Sequence, residues 1–159
     1  MIVNQAISKE RLKFKKVMVS TDFLKCCEHA FRFAIQFAQK HGSQLFLFHM
    51  LPEPPILDPS RTEYEEVLIP LKEKKLKALC KEIPKGIDHE YGISKGARPH
   101  LEILRYAEKN DVDLIVMCSH TKRKCKKWYV GSAVEKVSYR SDCPVIVFSD
   151  PKVVLSIDG

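Results

Sequence analysis

No apolar run in this 159-residue chain approaches the roughly 20 residues of a membrane-spanning helix. Met1 to Lys16 has neither the apolar core nor the cleavage site of a secretory leader. A membrane protein is disfavoured, and a cytoplasmic location is expected. The six cysteines, Cys26, Cys27, Cys80, Cys118, Cys125 and Cys143, fall at no zinc-ligand spacing and read as reduced thiols. Small buried hydrophobes are the frequent explanation of such residues. A metal or redox role stays open for the adjacent pair Cys26-Cys27 and for Cys118 with Cys125. There is no Walker A lysine, no carboxylate pair at metal spacing and no histidine signature of adenylyl transfer, so enzymes built on those devices are disfavoured. Internal repeats and low-complexity segments are missing too.

What remains is ordinary in bulk and uneven in detail. Hydrophobic content of 45% and charged content of 30% suit one soluble globular domain, long enough to bury a core unaided. The net charge of +7 comes from two places. Residues 1–16 carry five basic residues and one acidic, and Lys122, Arg123, Lys124, Lys126 and Lys127 add five more, which leaves 17 basic against 19 acidic elsewhere. A basic leader and a basic loop are therefore expected. A broad face for nucleic acid is not.

Along the chain, apolar runs alternate with helical periodicity. Lys16 to Ser20 reads as a short strand, and Thr21-Asp22 supply the oxygens that end strands and cap helices. A helix from about Cys26 to His41 follows, with Ala30, Ala34, Phe37 and Ala38 on its inner face and Gly42 as its stop. Gln44 to Met50 is almost continuously apolar, as in a strand covered on both faces. Pro52, Pro54, Pro55 and Pro59 mark a surface connection. The helix from about Thr62 to Glu82 contains Pro70, which either kinks it or opens a shorter helix. Ile87 to Ser94 alternates like an edge strand, with His89 read as packed or surface histidine, and Gly96 gives a turn. Pro99 opens a helix to about Asn110 with Ile103, Leu104 and Ala107 inward. Leu114 to Met117, Ser132 to Arg140 and Cys143 to Phe148 complete a series of five strands and four helices. That alternation predicts an α/β fold with a parallel sheet and right-handed crossovers.

The stretch from Asp113 to Ser132 carries the functional signal. A buried strand empties into Cys118-Ser119-His120-Thr121, passes five basic residues and reaches Gly131-Ser132 at a helix start. Free backbone N–H groups and a helix dipole converge in such connections, which are anion sites in α/β proteins. The alternative is structural: Asp22 as a helix cap, Gly131-Ser132 as a helix start and the basic run as a solvated loop.

The sequence resembles the universal stress proteins from roughly Phe14 to Ser149. The likeness rests on Val17-Met-Val-Ser-Thr-Asp22, His49-Met50, the run from Ala107 to Met117, Gly131-Ser-Ala-Val-Glu-Lys-Val137, and Asp142-Cys-Pro-Val-Ile-Val147. It implies a single-domain, three-layer α/β/α sandwich over residues 14–150, of the Rossmann-like, adenine nucleotide alpha hydrolase-like kind. Residues 1–13 form a leader and 151–159 a tail in that scheme, and the five-stranded parallel sheet has the order 3-2-1-4-5. Nucleotide, ATP or AMP with or without Mg2+, would sit where the first and fourth strands diverge. By resemblance Asp22 lies near adenine and ribose, Met117 and Cys118 line the adenosine pocket, Thr121, Gly131 and Ser132 meet the phosphates, and Ser20, Thr21, Met50, His120 and Ala133 belong to the same nucleotide site.

The nucleotide-binding members carry a loop of the form G-x2-G-x9-G-[S/T]. Here Cys118 and Thr121 stand at the first two glycine positions, with the spacing to Gly131 kept. Neither offers the positive φ or the backbone clearance of glycine. Three functions compete: a cytoplasmic stress-response protein binding adenine nucleotide weakly with at most weak ATP hydrolysis, a nucleotide-free homodimeric interaction module, and an enzyme, a nucleotidylyltransferase or hydrolase on the same fold. Homodimerisation through Pro144 to Phe148 is expected, because Val145 to Phe148 form an apolar edge with no charge or proline to guard it.

Overall fold

The computed structural model describes residues 13–25, 27–119 and 132–148. The expected leader up to residue 12, the basic segment of the loop and the expected C-terminal tail lie outside these residues.

Strands β1 (Lys16–Ser20), β2 (Gln44–Pro52), β3 (His89–Gly96), β4 (Leu114–Cys118) and β5 (Val145–Phe148) form one sheet in the order β3-β2-β1-β4-β5. Every pairing is parallel. β1 has a neighbour on each side and helices above and below, so Val17, Met18 and Val19 are wholly buried. Their alternation divides the core in two. Val17 and Val19 pack with Ala30, Ala34 and Ala38 of α1 (Cys27–His41) and with Leu76 of α3 (Ile69–Glu82). Met18 packs on the other face with Ile103 and Ala107 of α4 (Pro99–Lys109) and with Val134 and Val137 of α5 (Ser132–Arg140). Three layers result, as expected.

Local details follow from chemistry. Gly42 ends α1 at φ +67, a conformation that a Cβ would disfavour. The carboxylate of Asp113 accepts from the backbone N–H groups of Lys15 and Lys16, at 2.8 and 2.9 Å, and fastens the entry of β1 to that of β4. Pro70 is resolved in a way that combines both sequence readings. A short α2 (Arg61–Glu63) runs into a π-helical turn over Tyr64–Leu68, and α3 begins directly after it with Pro70 in its first turn. The N–H of Ile69 reaches back to Tyr64. The wider turn makes room for a ring that would otherwise strike the carbonyl four residues earlier.

Boundaries shift from expectation in three strands. β2 continues through Leu51 and Pro52, because β3 extends alongside it as far as Gly96. Gly96 therefore ends a strand instead of making a turn, and its carbonyl accepts from Glu53 at 3.1 Å. β3 begins at His89, whose ring bonds the Ile87 carbonyl, and β5 begins at Val145, after Cys143 and Pro144.

Gly92 in β3 lies directly under Tyr106 of α4, and a Cβ there would stand 2.6 Å from the ring's Cζ and Oη. The ring has little freedom to retreat, since it also packs against Phe46 and Phe48. Gly92→Ala is expected to cost about 1–3 kcal/mol of stability by overpacking, seen as a lower urea midpoint at unchanged slope.

Candidate functional site

At the carboxyl ends of β1 and β4 the chain leaves the sheet in opposite directions. β1 feeds α1 on one face, and β4 leads on to α5 on the other. A crevice opens between them, with a volume of about 330 Å3. Volumes of this order fall within the range of small-molecule sites. Eight of the eleven expected residues line it: Ser20, Thr21, Asp22, Met50, Met117, Cys118, Ser132 and Ala133. His120, Thr121 and Gly131 lie outside the described residues. The crevice is also walled by Cys27, Pro52, Pro99, Ile103 and Val134, which the sequence reading had not assigned to a site. The signal for Pro99 and Ile103 was available, because in a parallel α/β fold the helix after a strand starts at the same end as the site.

The connection after β1 is shaped by its own side chains. Thr21 Oγ1 accepts from the Phe23 N–H, and Asp22 Oδ1 accepts from the Leu24 N–H, each at 3.0 Å. These ST- and Asx-turn bonds hold Phe23 at φ +66. Asp22 is thus a turn former lying ahead of α1. The same Oδ1 accepts from the thiol of Cys27 at 3.0 Å. The thiol of Cys118, hydrogen-bonded to that of Cys27, holds the Cys27 thiol below its ordinary pKa, against burial and the Asp22 charge.

His49 supports the connection from beneath. It is 4% exposed, and its Nδ1 lies 2.7 Å from the Thr21 carbonyl. A carbonyl can only accept, so Nδ1 carries the proton in the neutral ring. Nε2 is buried with no hydrogen-bond partner among the described residues. The ring packs on Phe23 at 4.5 Å between centroids, and Lys72 and Lys75 approach the Phe23 ring. Burial pushes the His49 pKa below its usual value, with the two lysines adding to the effect.

A larger cavity of about 630 Å3 lies at the opposite end of the sheet, among Asp111, Asp113, Asp142 and Arg140. It stands at the amino ends of β1 and β4, away from the strand ends where open parallel sheets bind ligands.

Residues 13–149 match the Universal stress protein family. The chain belongs to that family. It is 29% identical over 157 residues to a universal stress protein of Methanocaldococcus jannaschii, covering 95% of this chain and 91% of the relative. The solved structure of another universal stress protein from that organism, MJ0577, superposes with a TM-score of 0.75 at 29% identity, covering 87% of this chain and 97% of that one. The universal stress protein of Archaeoglobus fulgidus in complex with dAMP gives a TM-score of 0.63 at 21% identity, covering 86% and 99%. This last likeness is one of fold.

In this universal stress protein His49 links pH to stability. The unfolded chain binds a proton at the ordinary histidine pKa of about 6.5, whereas the folded chain resists it until lower pH. Stability is present above that unfolded value and is lost as pH falls from it toward the depressed folded pKa. The limit for one group is about 1.4 kcal/mol per pH unit. Urea unfolding between pH 7.5 and 5 is expected to show a shallower decline for His49→Gln than for the wild type. Equal slopes would contradict the assignment.

Proposed function

We propose that this universal stress protein is a small cytoplasmic stress-response protein that binds adenine nucleotide weakly, ATP or AMP, and acts as a sensor or regulator instead of an enzyme. The observation that supports this reading is the gathering of Ser20, Thr21, Asp22, Met50, Met117, Cys118, Ser132 and Ala133 around one crevice where β1 and β4 part. Met50, Met117 and Ile103 offer apolar surface to a purine. Asp22 offers a carboxylate to ribose hydroxyls, as acidic residues do in other nucleotide folds. The start of α5 at Ser132 brings a helix dipole and backbone N–H groups toward a phosphate. The dAMP held by the Archaeoglobus fulgidus protein is of the same chemical class.

The fit is partial, which accounts for the word weakly. Cys118 is buried at the end of β4 where the family loop has its first glycine. A side chain there occupies space that backbone and ligand would share. With Thr121 as the second replacement, and on the order of 1–3 kcal/mol for each, affinity falls about tenfold to many thousandfold below a complete glycine loop. Any Mg2+ would arrive with a triphosphate and its own waters. Among the described residues no group of three His, Cys, Asp or Glu is gathered for a metal ion.

Calorimetry with ATP on the wild type and on Cys118→Gly/Thr121→Gly tests this reading. Micromolar or weaker binding is expected in the wild type, with tighter binding in the double variant. No heat in either protein, together with no adenine nucleotide in the purified material, would overturn it.

A second reading, a homodimer formed through Pro144 to Phe148, is favoured by β5. This strand is the sheet edge, and Val145, Ile146, Val147 and Phe148 are all only partly buried. A two-fold pairing of edges would cover them. Sedimentation at micromolar concentration is expected to show a dimer, and Val147→Lys is expected to yield monomer.

A further inference from the structure

Two thiols from distant parts of the chain meet in the wall of the crevice. Cys27 is the first residue of α1 and Cys118 the last of β4. Both line the same pocket, both belong to the core cluster on the α1 face, and they are 5% and 8% exposed. We propose that Cys27 and Cys118 form an oxidisable dithiol, which a peroxide converts to a Cys27–Cys118 disulfide joining the head of α1 to the end of β4.

Geometry assigns different parts to the two sulfurs. Cys27 stands at a helix N-terminus, where the dipole favours a thiolate, and its proton is directed at Asp22 Oδ1. The Cys118 thiol, hydrogen-bonded to it, lowers its pKa against burial and the Asp22 carboxylate, which raise it. Cys27 is therefore the attacking sulfur and Cys118 the resolving one. The Cys27 thiolate attacks one oxygen of a hydroperoxide, the O–O bond breaks, and the departing oxygen leaves as water once it has taken up the thiol proton. Cys118 then attacks the sulfenic sulfur, the S–O bond breaks, and the second oxygen leaves as water with the remaining proton. With hydrogen peroxide, two thiols are oxidised, one peroxide is reduced and two waters form. The open crevice gives a small oxidant access to sulfurs that the core otherwise covers. Cys80, on α3, is less suited, because burial raises its pKa.

The test uses the full-length reduced protein, treated with one equivalent of hydrogen peroxide, alkylated and mapped by mass spectrometry without reduction. Cys26→Ser serves as the background, because Cys26 shares a peptide with Cys27. The expected product lacks two hydrogens and joins the peptides of Cys27 and Cys118, while Cys80 and Cys143 remain alkylatable. Loss of free Cys27 is expected at least about tenfold faster than loss of free Cys80. In the wild-type chain the same bridge is expected between the peptide holding Cys26 and Cys27 and that holding Cys118, so the result stands even if a variant folds poorly. Cys118→Ser should stop at a sulfenic acid on Cys27, trapped by dimedone. Cys27 and Cys118 staying alkylatable, a bridge to Cys125, or oxidation of Cys80 at the same rate would each overturn the proposal. No nucleotide enters the measurement, so its outcome is independent of the nucleotide reading.

Discussion

The divergence of β1 and β4 is the constraint on which the rest depends. Parallel strands need right-handed crossovers, so a chain that builds β1, β2 and β3 outward on one side of β1 keeps α1 and α3 on one face. When it returns to build β4 and β5 on the other side, the same handedness sends α4 and α5 to the opposite face. The two strands at the centre then lead into helices that part. A crevice at their carboxyl ends is a consequence of topology, before any side chain is chosen.

Side chains then decide how that crevice is held and lined. Asp113 fastens the opposite ends of the two strands through backbone N–H groups at Lys15 and Lys16. At the crevice, Thr21 and Asp22 fold the connection back on itself, and His49 bonds the Thr21 carbonyl from the neighbouring strand. Burial pushes the pKa of this imidazole below its usual value, since it penalises the charged form. Cys27 and Cys118 form part of the wall beneath.

The function supported by this site is therefore a modified form of a family property. On the proposed nucleotide reading, topology and Asp22 remain as such a site would have them, and Cys118, which packs into the core, stands at the first glycine position. The same residue also stands beside the Cys27 thiol.

Element type and order were legible in the sequence, because the periodicity of buried residues follows directly from local geometry: Val17 to Val19 buried on both sides, Ala30, Ala34 and Ala38 one helical turn apart, Gly42 at positive φ. The convergence of Ser20 to Asp22 with Met117, Cys118 and Ser132 was legible too, through motif spacing and the family's topology. The ends of β2 and β3 were not, since Leu51, Pro52 and Gly96 owe their extended state to pairing with each other. Nor was the π-helical turn before Pro70, which depends on a wider backbone than sequence period reveals. Among the thiols, the sequence could set Cys27 only beside Cys26, and Cys118 only near Cys125. The tertiary structure alone decided that Cys27 meets Cys118 and that His49 lies beneath Thr21, because both contacts join strand ends and loops brought together by the parallel sheet.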